Sequence, residues 1–393
     1  MRLGIACLIL GYVLSQFYRA FLTVLAADLG RDIGAGPDDL AIASGLWFLT
    51  FALMQIPVGE ALDRFGPRRT VAVLLTLGGA GGAFLFARAS GPGEVQFAMA
   101  LIGAGCAPVL MASYYIFGRI YSPRVFGTLA GAVIGIGSLG NIAGSAPLAW
   151  FVTAIGWREA LLWLAAVTLA VAAAVWALVR DPPGVFRPGG GRGSLADLLR
   201  IPGFWAILPL MAVAYAPAAA IRGLWAGPYL SDTFGLDTAG IGRATFYMGL
   251  AMVAGSFAYG PLDRLFGTRK WVVFAGNLAV AACLGLLVAA PPTGSAGAIV
   301  VLCALGFFGA NFPAIMSHGR AFLPPHLMGR GVAFVNMFGI GGAGVLQFAS
   351  GPYFRALGPG AAPGQLYAAL FGFFLIPLVA GLVLYLFSRD SRA

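Results

Sequence analysis

Apolar residues run along this chain in long blocks rather than alternating with polar ones, and short clusters of Gly, Pro and Arg separate the blocks. Breaking the chain at those clusters gives twelve segments, at approximately 3–27, 39–61, 70–88, 95–117, 125–153, 160–179, 204–230, 241–262, 271–291, 296–317, 331–356 and 365–388. Each is close to the roughly 20 residues that a helix needs to cross the hydrocarbon core of a bilayer. Unbroken runs such as "LYAALFGFFLIPLVAGLVLYLF" lack the two-residue alternation of a membrane barrel strand, so the pattern predicts an all-α integral membrane protein with twelve transmembrane helices.

Six segments lie on each side of "RDPPGVFRPGGGRGSLADLLRIPG", residues 180–203, the one long polar stretch, whose Gly, Pro and Arg content reads as a linker. The expected organisation is therefore an N-terminal six-helix bundle over 1–180, a cytoplasmic linker over 181–203 and a C-terminal six-helix bundle over 204–393. The halves also repeat. "LDR" occurs at 62–64 and again at 262–264, and "GRIYSP" at 118–123 has its counterpart in "GRAFLP" at 319–324. Two matches at offsets of 200 and 201 residues point to a tandem duplication, and parallel six-helix repeats are a known transporter plan.

Composition agrees with this reading: 60% of residues are hydrophobic, 10% are charged, and the mean hydropathy is +0.89. The net charge of +10 is not a nucleic-acid signal, because the basic residues stand in ones to threes at the ends of apolar segments. With a cytoplasmic N-terminus, seventeen Lys and Arg fall on the cytoplasmic side and five, Arg31, Arg88, Arg158, Arg243 and Arg355, on the other. That bias places both termini in the cytoplasm, with the protein in the inner membrane. The opening "MRLGIACLILGYVLSQFYRAF" lacks a small-residue cleavage site and reads as the first helix, not a removed signal. Cys7, Cys106, Cys283 and Cys303 all lie within apolar segments and read as small buried hydrophobes.

The loop between segments 2 and 3 carries Gly59, Asp63, Arg64, Gly66, Pro67, Arg68 and Arg69, and a degenerate copy carries Gly260, Asp263, Arg264, Gly267, Arg269 and Lys270. The two glycines permit a sharp turn, and Asp63 stands at a helix end where its carboxylate can accept backbone N–H groups. Together with the twelve segments and the central linker, these loops make the chain resemble the major facilitator superfamily over essentially its whole length. The resemblance implies two pseudo-symmetric six-helix bundles that work by rocker-switch alternating access. It also implies a gating role for Asp63, Arg64, Arg68, Asp263 and Arg264, with Asp63 meeting the start of helix 11 and Asp263 meeting helix 5.

Charges inside a bilayer are costly, and an intramembrane ionisable residue is a functional-site candidate by default. Of the 24 basic and 14 acidic residues, two lie well inside segments, Arg19 in "SQFYRAFLT" and Arg222 in "AAAIRGLWAGPYL". They are 203 residues apart and so occupy nearly equivalent positions in the repeats. Two guanidiniums facing one cavity repel unless an anion lies between them, and their planar forks suit carboxylate or phosphate. The resemblance puts helices 1, 4, 7 and 10 around the central cavity, which brings in Tyr18, Tyr114, Asn311 and Trp225 as further substrate-binding candidates. Gln16, Tyr115, Asn141, Tyr215 and Asn336 are polar residues that can equally serve as packing contacts.

No Asp or Glu lies in mid-segment, which argues against a cation carrier or a carboxylate proton relay. His318 and His326 fall at the cytoplasmic loop before segment 11. Met248 and Met252 in "MGLAM" have the spacing of a soft copper(I) pair, but no His-x-x-x-Met partner follows, so core packing is the reading preferred. Gly131/Gly135 and Gly140/Gly144 on segment 5 have close-packing spacing. There is no phosphate-binding loop, no metal-ligand cluster and no nucleophile beside a His, so no enzyme activity, cofactor or metal is expected. The expectation is a monomeric transporter of a small organic anion, a carboxylate or phosphate ester. The alternatives are an importer of a neutral or aromatic nutrient such as a vitamin, an importer of copper, and a non-transporting sensor or assembly factor.

Overall fold

The computed structural model describes residues 2–121, 123–182, 205–323, 328–358 and 362–390. Of the expected linker, only 181 and 182 fall within them. Two compact units emerge, Met1–Gly190 and Gly191–Ala393, and every described element in both is helical.

All twelve segments appear as helix. Segment 1 is the helix Arg2–Phe17, a turn, and the helix Leu22–Ile33. Segment 2 is Pro37–Leu53 with the first part of Gln55–Leu74. Segment 4 is Pro92–Cys106 and Pro108–Ile120, and segment 5 is Pro123–Ala143 and Ala146–Ile155. Segment 6 is the single helix Trp157–Leu178. In the second unit, segments 8, 9, 11 and 12 are the helices Thr238–Phe266, Lys270–Ala289, Met328–Ala356 and Pro363–Tyr385. Among the described residues, eight helices are long and apolar enough to cross a membrane, and the bent pair of segment 1 makes nine. Segment 2 falls short because its helix turns at Met54, and segment 8 because Gly and polar residues dilute a helix of ample length.

The repeat read from two short motifs extends to packing. In the first unit segment 1 packs on segment 5, segment 2 on segment 4 and segment 3 on segment 6; in the second unit 7 packs on 11, 8 on 10 and 9 on 12. Glycines make the close approaches, at equivalent positions in the contacts of segments 1 and 7. A Cβ on Gly140 would collide with the Val13 carbonyl of segment 1, and one on Gly342 with the Ala212 carbonyl of segment 7. Gly103 against the Trp47 carbonyl joins segments 4 and 2, and Gly255 against the Phe307 carbonyl joins 8 and 10. Small residues let helix backbones approach within the membrane, where dispersion contacts take over from the hydrophobic effect as the source of helix association. Of the segment 5 glycines, Gly140 and Gly144 are the ones at the contact; Gly135 has open space, and the Gly131 side lies outside the described residues.

The helices are interrupted unevenly. Segments 6, 9 and 12 run unbroken, whereas segments 1, 4, 7 and 10 all break near mid-length. Segment 4 breaks at Ala107, segment 7 at Tyr215 and again in a π-turn over Ile221–Trp225, and segment 10 at Ala310–Asn311. Pro108, Pro217 and Pro313 follow those breaks, each lacking a backbone donor and crowding the preceding turn. Segment 1 breaks with no proline at all, across residues 18–21, and its two parts meet at 52°.

Candidate functional site

The two intramembrane arginines both lie at these irregularities. Arg19 occupies the turn of segment 1, where the Arg19 N–H reaches the Gln16 carbonyl at 3.3 Å and the Ala20 N–H the Phe17 carbonyl at 2.9 Å. Arg222 is the second residue of the π-turn Ile221–Trp225. Non-helical backbone at membrane depth is tolerated where it is buried in protein or lines an aqueous cavity, and π-turns concentrate at functional sites.

Arg19 lies on an aromatic wall from segment 2. Its guanidinium carbon is 4.9 Å from the centre of the Trp47 ring, 5.0 Å from Phe51 and 5.9 Å from Phe48. Trp47 and Phe51 are stacked, with centroids 5.1 Å apart and planes at 16°. Among the described residues no carboxylate forms an ion pair with Arg19, and its Nε is buried without a hydrogen-bond partner. A guanidinium over ring faces is stabilised by the ring quadrupoles, but its N–H fork remains available to a ligand.

Arg222 is held differently. It is buried, and its guanidinium fills the space that a side chain at position 249 would take, 2.8 Å from a Cβ there to Nη2 and 3.4 Å to Nε. Gly249 on segment 8 is thus the bare backbone against which this arginine lies. It sits between Met248 and Met252, whose side chains both pack over Gly306 of segment 10. The methionine pair is core packing, and among the described residues no group of three or more His, Cys, Asp or Glu could hold a metal.

The remaining candidates divide. The Tyr18 hydroxyl bonds the Thr168 hydroxyl at 2.9 Å, tying segment 1 to segment 6 within a fully buried contact. Trp225 donates its indole N–H to Ser350 at 3.0 Å, which fixes the π-turn against segment 11. Asn311 donates to the Phe308 carbonyl at 3.0 Å, satisfying the break in segment 10. Tyr114 is half-buried on Pro108–Ile120. Tyr18, Trp225 and Asn311 thus each have a polar group engaged inside their own half.

The signature loops make a matched pair of clamps. Gly66 has φ +82°, and a Cβ there would lie 2.6 Å from the Asp181 carboxyl carbon, so both backbone and space call for glycine. Asp181 accepts the Arg68 N–H at 2.9 Å, while Arg68 Nε donates to the Trp176 carbonyl and its guanidinium lies 5.1 Å from the Trp176 ring centre. In the second unit Asp390 accepts the Lys270 N–H at 3.0 Å, and Lys270 Nζ donates to the Leu386 and Ser388 carbonyls at 2.7 Å each. Partial burial pulls the Asp390 carboxyl up, but the Thr268 hydroxyl and the Lys270 and Arg269 N–H groups hold it below the ordinary range. In each half, then, the basic end of the signature loop ties segment 3 or 9 to the residues just beyond segment 6 or 12.

The aspartates pair within their halves too. Asp63 meets Arg119 at 3.4 Å in an exposed pair, and Asp263 meets Arg269 at 3.5 Å. One oxygen of Asp263 is buried and unpartnered, and the residue lines a cavity of about 180 Å³ with Tyr259, Arg269 and Ser317. Arg64 points over Phe65 at 5.5 Å, and the side chain of Arg264 lies outside the described residues. His318 is not in a loop: it is buried in the helix Phe312–Arg320, donating Nε2–H to the Arg389 carbonyl at 3.0 Å and accepting at Nδ1 from the Tyr385 hydroxyl. His326 lies outside the described residues. Sequence reading missed Trp47, Gly249, Asp181 and Asp390. No signal in the sequence marks any of the four, because each owes its role to the helix face it meets.

A helical membrane protein built from two repeated six-segment units, with arginines at its helix breaks, defines a class, and comparison with known proteins specifies it. Residues 8–347 match the family model of the Major Facilitator Superfamily, and the chain belongs to that family. A quinolone resistance transporter of Acinetobacter baumannii is 26% identical over 191 residues, 44% of this chain. The chain spans about two fifths of that relative's length, 41%. Among solved structures, the nucleoside transporter NupG aligns over 98% of this chain and 100% of its own, with a TM-score of 0.78 at 13% identity. A D-xylose–proton symporter aligns over 98% and 97%, at 0.77 and 15%. A bacterial homologue of the human lysosomal transporter Spinster aligns over 98% and 94%, at 0.70 and 17%. These likenesses establish the fold, and membership agrees with a membrane carrier rather than an enzyme.

Proposed function

We propose that this protein is a secondary transporter of a small organic anion, a carboxylate or phosphate ester, working by alternating access in the cytoplasmic membrane with both termini in the cytoplasm. The observation that carries the proposal is Arg19: a guanidinium at a helix break, 4.9–5.9 Å from three ring centres and without a carboxylate partner among the described residues. An arginine at membrane depth costs about 2.5–3.5 kcal/mol on insertion scales, and a chain retains such a residue where its charge is used. The kinship with membrane transporters and the seventeen-to-five bias in basic residues support the membrane and orientation parts of the reading. The signature aspartates fit gating, because the Asp63–Arg119 and Asp263–Arg269 contacts are long, partly solvated pairs that cost little to exchange.

The test is uptake into proteoliposomes of radiolabelled succinate, benzoate and glycerol phosphate, with an uncharged aromatic solute alongside. Saturable flux of at least one anion is expected; flux of the neutral solute alone would refute the anion reading. The rival has its own support, since the Trp47–Phe51 wall and the quinolone resistance relative both fit an aromatic solute.

A second expectation concerns Arg222. Gly249→Ala places a methyl group 2.8 Å from Nη2, so the guanidinium must shift. The KM of the transported anion should rise by about three- to tenfold, the range for a charge-assisted hydrogen bond weakened but not lost. Arg222→Lys, slimmer at its tip, should tolerate the alanine better, and transport kinetics of the two single variants and the double variant measure that coupling.

A further inference from the structure

We infer that the indole N–H of Trp47 is a second hydrogen-bond donor to the anion that Arg19 binds, so that the site takes an oxyanion with two acceptor oxygens. The inference rests on the anion reading and deepens it. Trp47 is 1% exposed, and its Nε1 is buried with no partner. The Nε of Arg19, whose guanidinium carbon lies 4.9 Å from the same ring, is likewise buried and unpartnered. Two orphaned donors therefore belong to two side chains in direct contact. Buried donors are almost always satisfied, so an exception calls for a specific occupant.

The chemistry of the wall sharpens the point. Phe48 and Phe51 already present ring faces to Arg19, and phenyl rings suffice for a cation–π surface. Trp47 adds what they lack, a single N–H donor with no acceptor capacity. An N–H that only donates, beside a guanidinium that only donates, complements a group that only accepts, which describes a carboxylate or a phosphate ester. Carboxylate and phosphate each offer a second oxygen to an indole while the first engages the guanidinium. Arg222 has different surroundings: Gly249 has no side chain and yields its space to that guanidinium. The two arginines thus differ in what lies against them, an aromatic wall at Arg19 and bare backbone at Arg222.

Trp47→Phe, in the full-length chain in proteoliposomes, retains the ring over Arg19 and removes only the donor. With whichever of succinate, benzoate or glycerol phosphate the unaltered protein transports, KM should rise about tenfold, the effect of losing one hydrogen bond to a charged group. The maximal rate and the thermal melting midpoint should be nearly unchanged. Trp47→His, which restores a ring N–H, should recover part of the lost affinity. An unchanged KM in Trp47→Phe while Arg19→Ala abolishes uptake overturns this inference and leaves the anion reading standing; unchanged uptake in both overturns the anion reading itself. If Trp47→Phe does not yield folded protein, the comparison of Trp47→His with Trp47→Leu decides. Equal KM values in that pair overturn the inference, and a lower KM for His upholds it.

Discussion

Arg19→Ala is expected to reduce anion uptake by about a hundredfold or more while the protein still folds and reconstitutes. The loss follows from the contacts. Arg19 makes no ion pair among the described residues, so its removal strands no buried carboxylate there. The cation–π contacts to Trp47, Phe48 and Phe51 disappear, at about 0.5–2 kcal/mol, and removing a charge from membrane depth offsets that cost. What cannot be offset is the charge-assisted hydrogen bonding to substrate. Two such bonds at about 1.5 kcal/mol each amount to about a hundredfold in affinity. Arg19→Lys tests shape separately from charge: it keeps the charge but loses the planar fork and the stacking, and should recover only a small part of the activity. Uptake kinetics, with detergent-solubilised melting curves for each variant, separate these effects.

The largest effects on stability are expected at glycines remote from any charge. Gly140→Val and Gly342→Val should each abolish folding or lower the melting temperature in detergent severely. The Cβ at either position would overlap a carbonyl oxygen of the facing helix, Val13 in segment 1 or Ala212 in segment 7, and backbone cannot rotate away as a side chain can. Overpacking a well-filled contact costs about 1–3 kcal/mol, and separating a whole helix pair costs more. Gly135→Ala is the control. It lies on the same segment with nothing within 4 Å of its added Cβ, so it should behave like the unaltered protein. Equal behaviour of Gly140→Val and Gly135→Ala would contradict the packing described for segments 1 and 5.

Much of the fold was legible in the sequence because the membrane imposes long-range regularity. Blocks of apolar residues, the polar stretch at 180–203 and the "LDR" repeat at 62–64 and 262–264 led to twelve helices in two halves, and the equivalent glycines Gly140 and Gly342 carry that repeat into packing. Breaks in segments 4, 7 and 10 could have been read from Pro108, Pro217 and Pro313. The break at Arg19 could not, since "SQFYRAF" contains no residue that ends a helix. Arg19 and Arg222 stood out because a charge within an apolar run needs no tertiary information to notice. Their surroundings did need it. An aromatic wall formed by residues 47, 48 and 51, or a glycine at 249 that makes room for a guanidinium, depends on which helix faces give on to segments 1 and 7. The same holds for Asp181 and Asp390, which lie more than a hundred residues from the loops they clamp.

The central claim is that Arg19 binds the anionic group of the substrate. Its most direct test is the thermal stabilisation of purified protein by the transported anion, compared between the unaltered chain and Arg19→Ala. Anything that binds the folded state alone raises its stability in proportion to the logarithm of its concentration above Kd. The account predicts a dose-dependent rise in melting temperature for the unaltered protein and none for Arg19→Ala over the same concentrations. Equal stabilisation of both proteins would contradict it.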